Sequence, residues 1–273
     1  MKNKTLFAIL YIVLIIIANS SCSSKSETNL SEIEKTYELG NSDKAHEELK
    51  KAISEDKSNA LSYFTQGNLY SGDGQHKDAI ESYTKCIVLK PDYASAYNNR
   101  GFSFLSIGMI EESMLDFNKA ISLAPKFPEA YNNRGIALKT AGNLSAAVAD
   151  FKAATELKPT YADAYYNLGN TFLAVGKYKE SISYFEKVLI LAPNYAQAYH
   201  GKAVALYQIG QYEQSALFDS KAILMNPNYG QAWYGRGMAH LKMKLKDNAC
   251  NDFRTALNLG VQESKAMIDE SCN

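Results

Sequence analysis

The chain has 273 residues, and its 29 Lys and Arg residues balance 29 Asp and Glu residues, so its formal net charge at pH 7 is zero. Nothing in this balance points to a nucleic-acid partner, because surfaces that bind polyanions carry an excess of positive charge. Nineteen Tyr and eleven Phe accompany a single Trp, a bias that indicates an aromatic side chain recurring at a fixed position.

The N-terminal segment 1–21 is predicted to be a signal peptide. Lys2 and Lys4 precede an apolar run of 13 residues over 6–18, which is short for a membrane span but fits the core of a signal peptide. An uncleaved anchor helix is the alternative, because residues 5–24 carry no charge.

The junction at Cys22 resembles a bacterial lipoprotein signal of the Bacteroidetes type, in which the cysteine becomes the lipidated N-terminus. Ser21 supplies the small residue expected before the cysteine, whereas Asn19 replaces the usual Leu. The resemblance implies an essentially permanent membrane anchor. Ser23, where an Asp would favour the inner membrane, implies an outer-membrane protein facing the periplasm or the cell surface. Residues 22–29 are predicted to be a polar tether.

Three similar strings recur every 34 residues, and internal repeats of this kind determine a whole fold. The strings are Tyr97-Asn98-Asn99-Arg100-Gly101, Tyr131-Asn132-Asn133-Arg134-Gly135 and Tyr165-Tyr166-Asn167-Leu168-Gly169. The same spacing predicts six repeats with bounds 60–93, 94–127, 128–161, 162–195, 196–229 and 230–263. A degenerate repeat is predicted over 26–59, and a C-terminal capping helix over 262–273.

Each repeat reads as two helices when its residues are numbered 1 to 34. Position 4 is a large aromatic residue, position 20 is small, position 15 is usually Gly and position 32 is usually Pro. Position 8 is very small: Gly67, Gly101, Gly135, Gly169, Ala203 and Gly237. Position 24 is aromatic with one exception: Tyr83, Phe117, Phe151, Phe185, Asp219 and Phe253. Small residues at 8 and 20 would let two helices approach closely, with Gly and Pro ending them.

This pattern resembles the tetratricopeptide repeat (TPR) family over the six repeats. The resemblance implies an all-α fold, a right-handed α-solenoid of tandem helix hairpins closed by a capping helix. It also implies a concave groove lined by positions 2, 5, 6, 9, 12 and 13 of the first helices. A protein or peptide ligand is expected, with no enzymatic activity, no small-molecule cofactor, no metal and no nucleic acid.

Candidate ligand-binding residues follow from those groove positions. Asn99, Asn133 and Asn167 share position 6, and a side-chain amide both donates to and accepts from a peptide backbone. This ladder resembles family members that hold extended polypeptides, although each Asn could instead bond only its own neighbours. The remaining candidates are Asn68, Asn170, Phe64, Phe102, Tyr166, Tyr207 and Tyr234. Aromatic and amide side chains suit apolar segments of a partner.

Three arginines at position 7 are predicted to form structural ion pairs. Arg occurs only in repeats that carry Asp at position 23, which predicts the pairs Arg100–Asp116, Arg134–Asp150 and Arg236–Asp252. The other repeats have Gln66 with Ser82, Leu168 with Tyr184, and Lys202 with Phe218.

The cysteines and histidines offer no catalytic or metal site. If the capping helix folds back after Gly260, residues equidistant from the turn meet, which predicts a disulfide between Cys250 and Cys272. Cys86 at position 27 is predicted to be a small buried residue. The four histidines share no metal-ligand spacing.

Three functions remain open from the sequence. The leading interpretation is a lipid-anchored adaptor that binds a partner polypeptide in the groove. The alternative is a fixed structural subunit of an envelope secretion, motility or assembly complex. A glycan or cell-wall polymer binder or enzyme is the third, with Glu129 and Asp163 as the acidic residues at position 2.

Overall fold

The computed structural model describes residues 29–272, and these residues form helices without any strand. The predicted signal peptide, Cys22 and all of the tether except its last residue lie outside this range. Fifteen helices follow one another: α1 (29–38), α2 (Ser42–Glu55), α3 (Ala60–Gly72), α4 (His76–Leu89), α5 (Ala94–Ser106), α6 (Ile110–Leu123), α7 (Pro128–Thr140), α8 (Leu144–Leu157), α9 (Ala162–Ala174), α10 (Tyr178–Leu191), α11 (Ala196–Gln208), α12 (Tyr212–Met225), α13 (Gly230–Lys242), α14 (Lys246–Asn258) and α15 (Glu263–Ser271).

The described chain forms two compact units, one up to Pro125 and one from Lys126 onward. The first unit holds α1–α6 and the second holds α7–α15. Consecutive helices within a repeat make the closest association in both units, as in α3 with α4 and α11 with α12. The predicted all-α fold of tandem helix hairpins is confirmed.

Glycine at position 15 ends the first helix of five repeats in the left-handed conformation. Gly74, Gly108, Gly142, Gly176 and Gly210 have φ between +75° and +82°. In the sixth repeat Lys244 takes this position with φ +62°, and it is the one non-glycine residue among 29–272 with positive φ. A side chain in this conformation is strained by contact of its Cβ with the backbone.

Small residues at position 8 make room for an aromatic ring, which goes beyond the close helix approach expected from sequence. A Cβ added to Gly135 would lie 2.6 Å from Phe151 Cε1, and one added to Gly169 would lie 2.8 Å from Phe185 Cε1. Ala203 is the exception at position 8, and its repeat is also the one without an aromatic residue at position 24. The two positions therefore form one packing unit.

The degenerate N-terminal repeat packs through Leu30, Ile33 and Leu49, which are buried with Leu69 of the next repeat. A polar cluster reinforces this contact at Asp73, just after α3. Tyr37 Oη donates to Asp73 Oδ1 at 2.9 Å, Ser42 Oγ donates to the same carboxylate, and His46 Nε2 lies 2.7 Å from Oδ2. Asp73 thus fastens α1 and α2 to α3.

The C-terminal helix α15 packs against α14. A disulfide joins Cys250 to Cys272, with 5.7 Å between the Cα atoms. Val261 and Ser264 are buried where the chain turns into α15. Within residues 29–272, no helix combines the length and the apolar character that a membrane span requires.

Candidate functional site

The candidate binding surface is the set of side chains at positions 2, 5, 6, 9, 12 and 13 of the first helices, named here the first-helix face. Neighbouring first helices pack together within each unit, α3 with α5 in the first and α7, α9, α11 and α13 in the second. Each unit therefore carries its own continuous part of this face.

In the first unit the amides of the face bond one another. Tyr83 Oη donates to Asn68 Oδ1 at 2.8 Å, and Asn99 Nδ2 donates to the same oxygen at 2.9 Å. Asn98 Nδ2 in turn donates to Asn99 Oδ1 at 3.0 Å. Asn99 is therefore bonded through both its amide nitrogen and its carbonyl oxygen within the first unit.

The second unit shows a similar bond between successive repeats. Asn167 Nδ2 donates to Asn132 Oδ1 at 2.9 Å. Asn133, which shares position 6 with Asn167, is half-buried. Asn170 is half-buried, and its side-chain amide makes no hydrogen bond with the described residues. Asn99 and Asn167 therefore link neighbouring repeats, and a further role of the ladder in holding a ligand stays a prediction.

The aromatic candidates combine packing with exposure. Phe102 is the most open, with 43 % of its surface exposed. Phe64 packs its ring 4.9 Å from that of Tyr93, and Tyr166 lies 5.2 Å from Tyr195. The other two rings are half-buried as well, with Tyr207 at 5.3 Å from Tyr212 and Tyr234 at 5.8 Å from Phe253. Each of the five rings is partly exposed and can therefore contact apolar groups of a partner.

Lys139 is a functional candidate that the sequence-based choice of site residues missed. It lies at position 12 of α7, half-buried, and it forms no ion pair or hydrogen bond with residues 29–272. Burial lowers the pKa of its ammonium group below the usual range. Position 12 is uncharged in the other repeats (Ser71, Leu105, Leu173, Tyr207 and Leu241). That contrast is the signal by which Lys139 could have been found.

The two acidic residues at position 2 are engaged within their own repeats. Lys158 Nζ donates to Glu129 Oε1 at 2.9 Å, and Tyr195 Oη donates to Asp163 Oδ1 at 3.0 Å. Burial is the main cause that raises the pKa of Tyr195, and the bond to Asp163 adds to it. The two carboxylates do not form a pair facing a common substrate.

The three predicted Arg–Asp pairs are present as bidentate contacts between the two helices of one repeat. The two distances are 2.7 and 2.8 Å for Arg100–Asp116, 2.7 and 2.7 Å for Arg134–Asp150, and 3.0 and 2.6 Å for Arg236–Asp252. Other repeats keep the contact with different chemistry, because Ser82 Oγ donates to Gln66 Oε1 at 3.1 Å and Lys202 Nζ lies 4.0 Å from the ring of Phe218.

The described part of the chain contains neither a reactive thiol nor a cluster of metal ligands. Cys86 is buried, and burial raises the pKa of its thiol to about 11, so it stays protonated at neutral pH. Among residues 29–272, His, Cys, Asp and Glu nowhere cluster in a way that would hold a metal ion.

Comparison with known families settles the nature of the repeats. Tetratricopeptide repeat models match 67–108, 94–127, 117–149, 139–176, 162–195 and 230–259, which together exceed half of the chain. The chain belongs to the tetratricopeptide repeat family. Proteins of this family bind peptide or protein partners. No curated protein matches the sequence.

Solved structures show the same fold. A TPR protein from Parabacteroides merdae is 22 % identical with a TM-score of 0.67, over 92 % of this chain and 100 % of that one. The type IV pilus biogenesis factor PilW is 21 % identical with a TM-score of 0.68, over 75 % and 94 %. YrrB, a TPR protein with an unusual peptide-binding site, is 25 % identical with a TM-score of 0.54, over 67 % and 95 %.

Proposed function

We propose that this TPR protein is a lipid-anchored, non-catalytic adaptor that binds a partner polypeptide on its first-helix face. The observation that carries the proposal is Lys139, a half-buried cation on that face with no partner among the described residues. Burial removes part of its hydration without replacing it, so a carbonyl or carboxylate oxygen of a ligand would complete its surroundings. Asn170, on the neighbouring first helix α9, supplies an uncommitted amide.

A photo-crosslinking residue placed in the full chain in living cells tests this surface. The matched positions are Lys139 and Tyr234 on the first-helix face against Ile190 and Leu224 on second helices, which are 73 % and 72 % exposed. We expect one partner to be trapped from the first-helix face only. Equal trapping from Ile190 and Leu224 would place the binding surface elsewhere.

The trapped partner is then purified and its affinity is measured for the wild type and for K139A/N170A. We expect weaker binding by the variant with an unchanged urea midpoint. The triple variant N99A/N133A/N167A tests the amide ladder separately, and its folding is checked first because Asn99 and Asn167 bond neighbouring repeats. Unchanged binding by a folded triple variant rules out the ladder.

The anchor is tested by labelling cells with a fatty-acid analogue. We expect label in the wild type, none in C22S, and recovery of the wild type in the outer-membrane fraction. A mature protein that retains residues 1–21 would support the uncleaved anchor helix instead.

A partner that copurifies in constant stoichiometry and does not exchange would favour a fixed subunit of an envelope complex over an adaptor.

A further inference from the structure

The repeat over 196–229 departs from its neighbours at three positions that touch one another elsewhere. The preceding repeat has Tyr166, Gly169 and Phe185 at positions 5, 8 and 24, with Tyr166 and Phe185 packed at 5.9 Å. The following repeat has Tyr234, Gly237 and Phe253, with rings 5.8 Å apart. The repeat between them instead has His200, Ala203 and Asp219.

His200 and Asp219 form a buried polar pair where the neighbours bury two rings. His200 Nδ1 lies 2.7 Å from Asp219 Oδ1, and the Asp219 side chain is 1 % exposed. The imidazole packs edge-on against Tyr229 at 5.2 Å. The other carboxylate oxygen lies against Gly235, where an added Cβ would come within 2.5 Å of it. Gly235 therefore makes room for the side chain at position 24, as Gly201 does for Phe185 of the preceding repeat.

This arrangement is electrostatically costly. Burial raises the pKa of Asp219 to about 6, although the hydrogen bond from His200 and the charges of His200 and Arg236 oppose the rise. Arg236 forms no hydrogen bond with Asp219, because its Nε and Nη2 donate to Asp252 and its Nη1 donates to Ser220. It stabilises the Asp219 carboxylate only through its charge. Replacing a buried ionic pair by well-packed apolar residues is often neutral or stabilising. The pair is therefore poorly explained by stability, and such exceptions occur preferentially at functional sites.

The pair fixes one polar atom on the first-helix face. His200 lies at position 5 of α11, its side chain is 17 % exposed, and Asp219 occupies its Nδ1. Nε2 makes no hydrogen bond with the described residues. In the protonated form of this pair, Nδ1 bonds Asp219 and Nε2 carries a hydrogen to donate. Half-buried Tyr166 and Tyr234 occupy the same position in the two adjacent repeats.

We propose that His200, held by Asp219, is a ligand-contacting donor of the second unit, with Nε2 bonding an oxygen of the bound polypeptide. The oxygen belongs either to a backbone carbonyl or to a carboxylate. This inference rests on the proposed function, since it assigns a contact within the same first-helix face. His200 touches the ligand, whereas Asp219 is a positioning residue that acts through the imidazole.

The chain supplies its own control variant. H200Y/A203G/D219F copies the preceding repeat, including the Gly that leaves room for the ring. We expect it to fold, which far-UV circular dichroism and the urea midpoint check. D219N keeps the shape of the side chain and removes its charge, so it separates the positioning role from the contact itself.

The probe is a capped synthetic peptide, chosen as the strongest binder from a random peptide library selected on the full chain. We expect H200Y/A203G/D219F to bind it about tenfold or more weakly, the usual loss for a hydrogen bond with a charged partner. We also expect the peptide to shift the ¹⁵N resonance of His200 Nε2 in the wild type, and D219N to reduce that shift.

The outcomes separate the two proposals. Unchanged affinity in the folded triple variant, or an unmoved Nε2 resonance, overturns the inference and leaves peptide binding intact. If no selected peptide crosslinks to the first-helix face, the proposed function falls and the inference falls with it. Amidating the acidic side chains of the peptide identifies the oxygen. If Nε2 bonds a side-chain carboxylate, the amidated peptide should bind the wild type and the triple variant with equal affinity. If Nε2 bonds a backbone carbonyl, the difference in affinity should remain.

Discussion

Arg134 and Asp150 form a bidentate ion pair across the two helices of their repeat, with Nε and Nη2 each 2.7 Å from a carboxylate oxygen. Asp150 is 9 % exposed and Arg134 is 22 % exposed. The D150A variant leaves the guanidinium without this partner, so we expect a loss of about 2–4 kcal/mol in the free energy of unfolding. R134L/D150Y copies Leu168 and Tyr184 of the next repeat and should stay within about 1 kcal/mol of the wild type. Urea denaturation measures both, and an equal loss in the two variants would contradict this account.

Position 8 should reject even one methyl group where position 24 is aromatic. Alanine normally stabilises a helix interior over glycine by about 1 kcal/mol. In G169A, however, the new Cβ would lie 2.8 Å from Phe185 Cε1, and overpacking should make the net effect a loss of about 1–3 kcal/mol. The double variant G169A/F185L relieves the ring and should recover part of this loss, whereas strictly additive losses would show that the two residues do not interact.

Lys244 is expected to be a local site of backbone strain. Its φ of +62° is the conformation that glycine adopts at the same position of five other repeats. K244G should therefore raise the free energy of unfolding by about 1 kcal/mol. The reciprocal control is G210K, which introduces the same strain one repeat earlier and should lower stability by about 1–2 kcal/mol. Thermal unfolding distinguishes the two directions.

Asp73 should make the attachment of the N-terminal hairpin sensitive to acid. Partial burial opposes its ionisation, but hydrogen bonds from His46, Tyr37 and Ser42 outweigh burial and lower the pKa of its carboxyl below the ordinary 3.8. A carboxyl whose pKa is lowered by folding stabilises the fold at pH values above its pKa in the unfolded state. This contribution disappears as the pH falls through its pKa in the folded state. We expect amide exchange in α1 and α2, divided by the intrinsic exchange rate at each pH, to accelerate below pH 4 in the wild type.

The D73N variant should show that faster exchange already at pH 7, with no further change from this residue on acidification. Exchange in α9–α14 serves as the internal control, since those helices lie in the other unit. Equal acceleration throughout the chain would indicate global unfolding rather than release of the hairpin.

The Cys250–Cys272 disulfide is expected to hold α15 in place. A bridge that closes a loop of this size typically contributes about 3 kcal/mol. C250S/C272S should therefore lose protection from amide exchange in α15 first, and a reductant should have the same effect on the wild type. Reductant added to the double variant is the control and should change nothing. Full protection of α15 in the variant would show that packing alone suffices.

The repeat pattern made the helices, their ends and most core positions predictable, because the same physical requirement returns every 34 residues. The Arg–Asp pairs could be predicted for the same reason, since residue types at positions 7 and 23 vary together. Features that occur in a single repeat were harder to predict, because no second repeat supports them. Asp219 stood out as an exception at position 24, but its partner at position 5 lies on another helix and no second repeat shows the pair.

The sequence predicted which residues lie on the candidate site, but it did not predict the hydrogen bonds that they form. Asn99 and Asn167 were placed on the first-helix face, yet the sequence left open whether their amides face a ligand or a neighbouring repeat. Hydrogen bonds to Asn68 and Asn132 depend on the spacing between adjacent first helices, which residue identity alone does not give. The attachment of Asp73 to Tyr37, Ser42 and His46 escaped prediction because the degenerate repeat follows no pattern.

The position of α15 limits how the array can be extended. It begins at Glu263, where one more repeat would start its first helix, and Val261 packs against Gly230 beside it. A further hairpin stacked on α14 would find that surface covered by α15. Insertion of a repeat between two existing ones leaves this contact intact, whereas a hairpin stacked on α14 would have to displace α15.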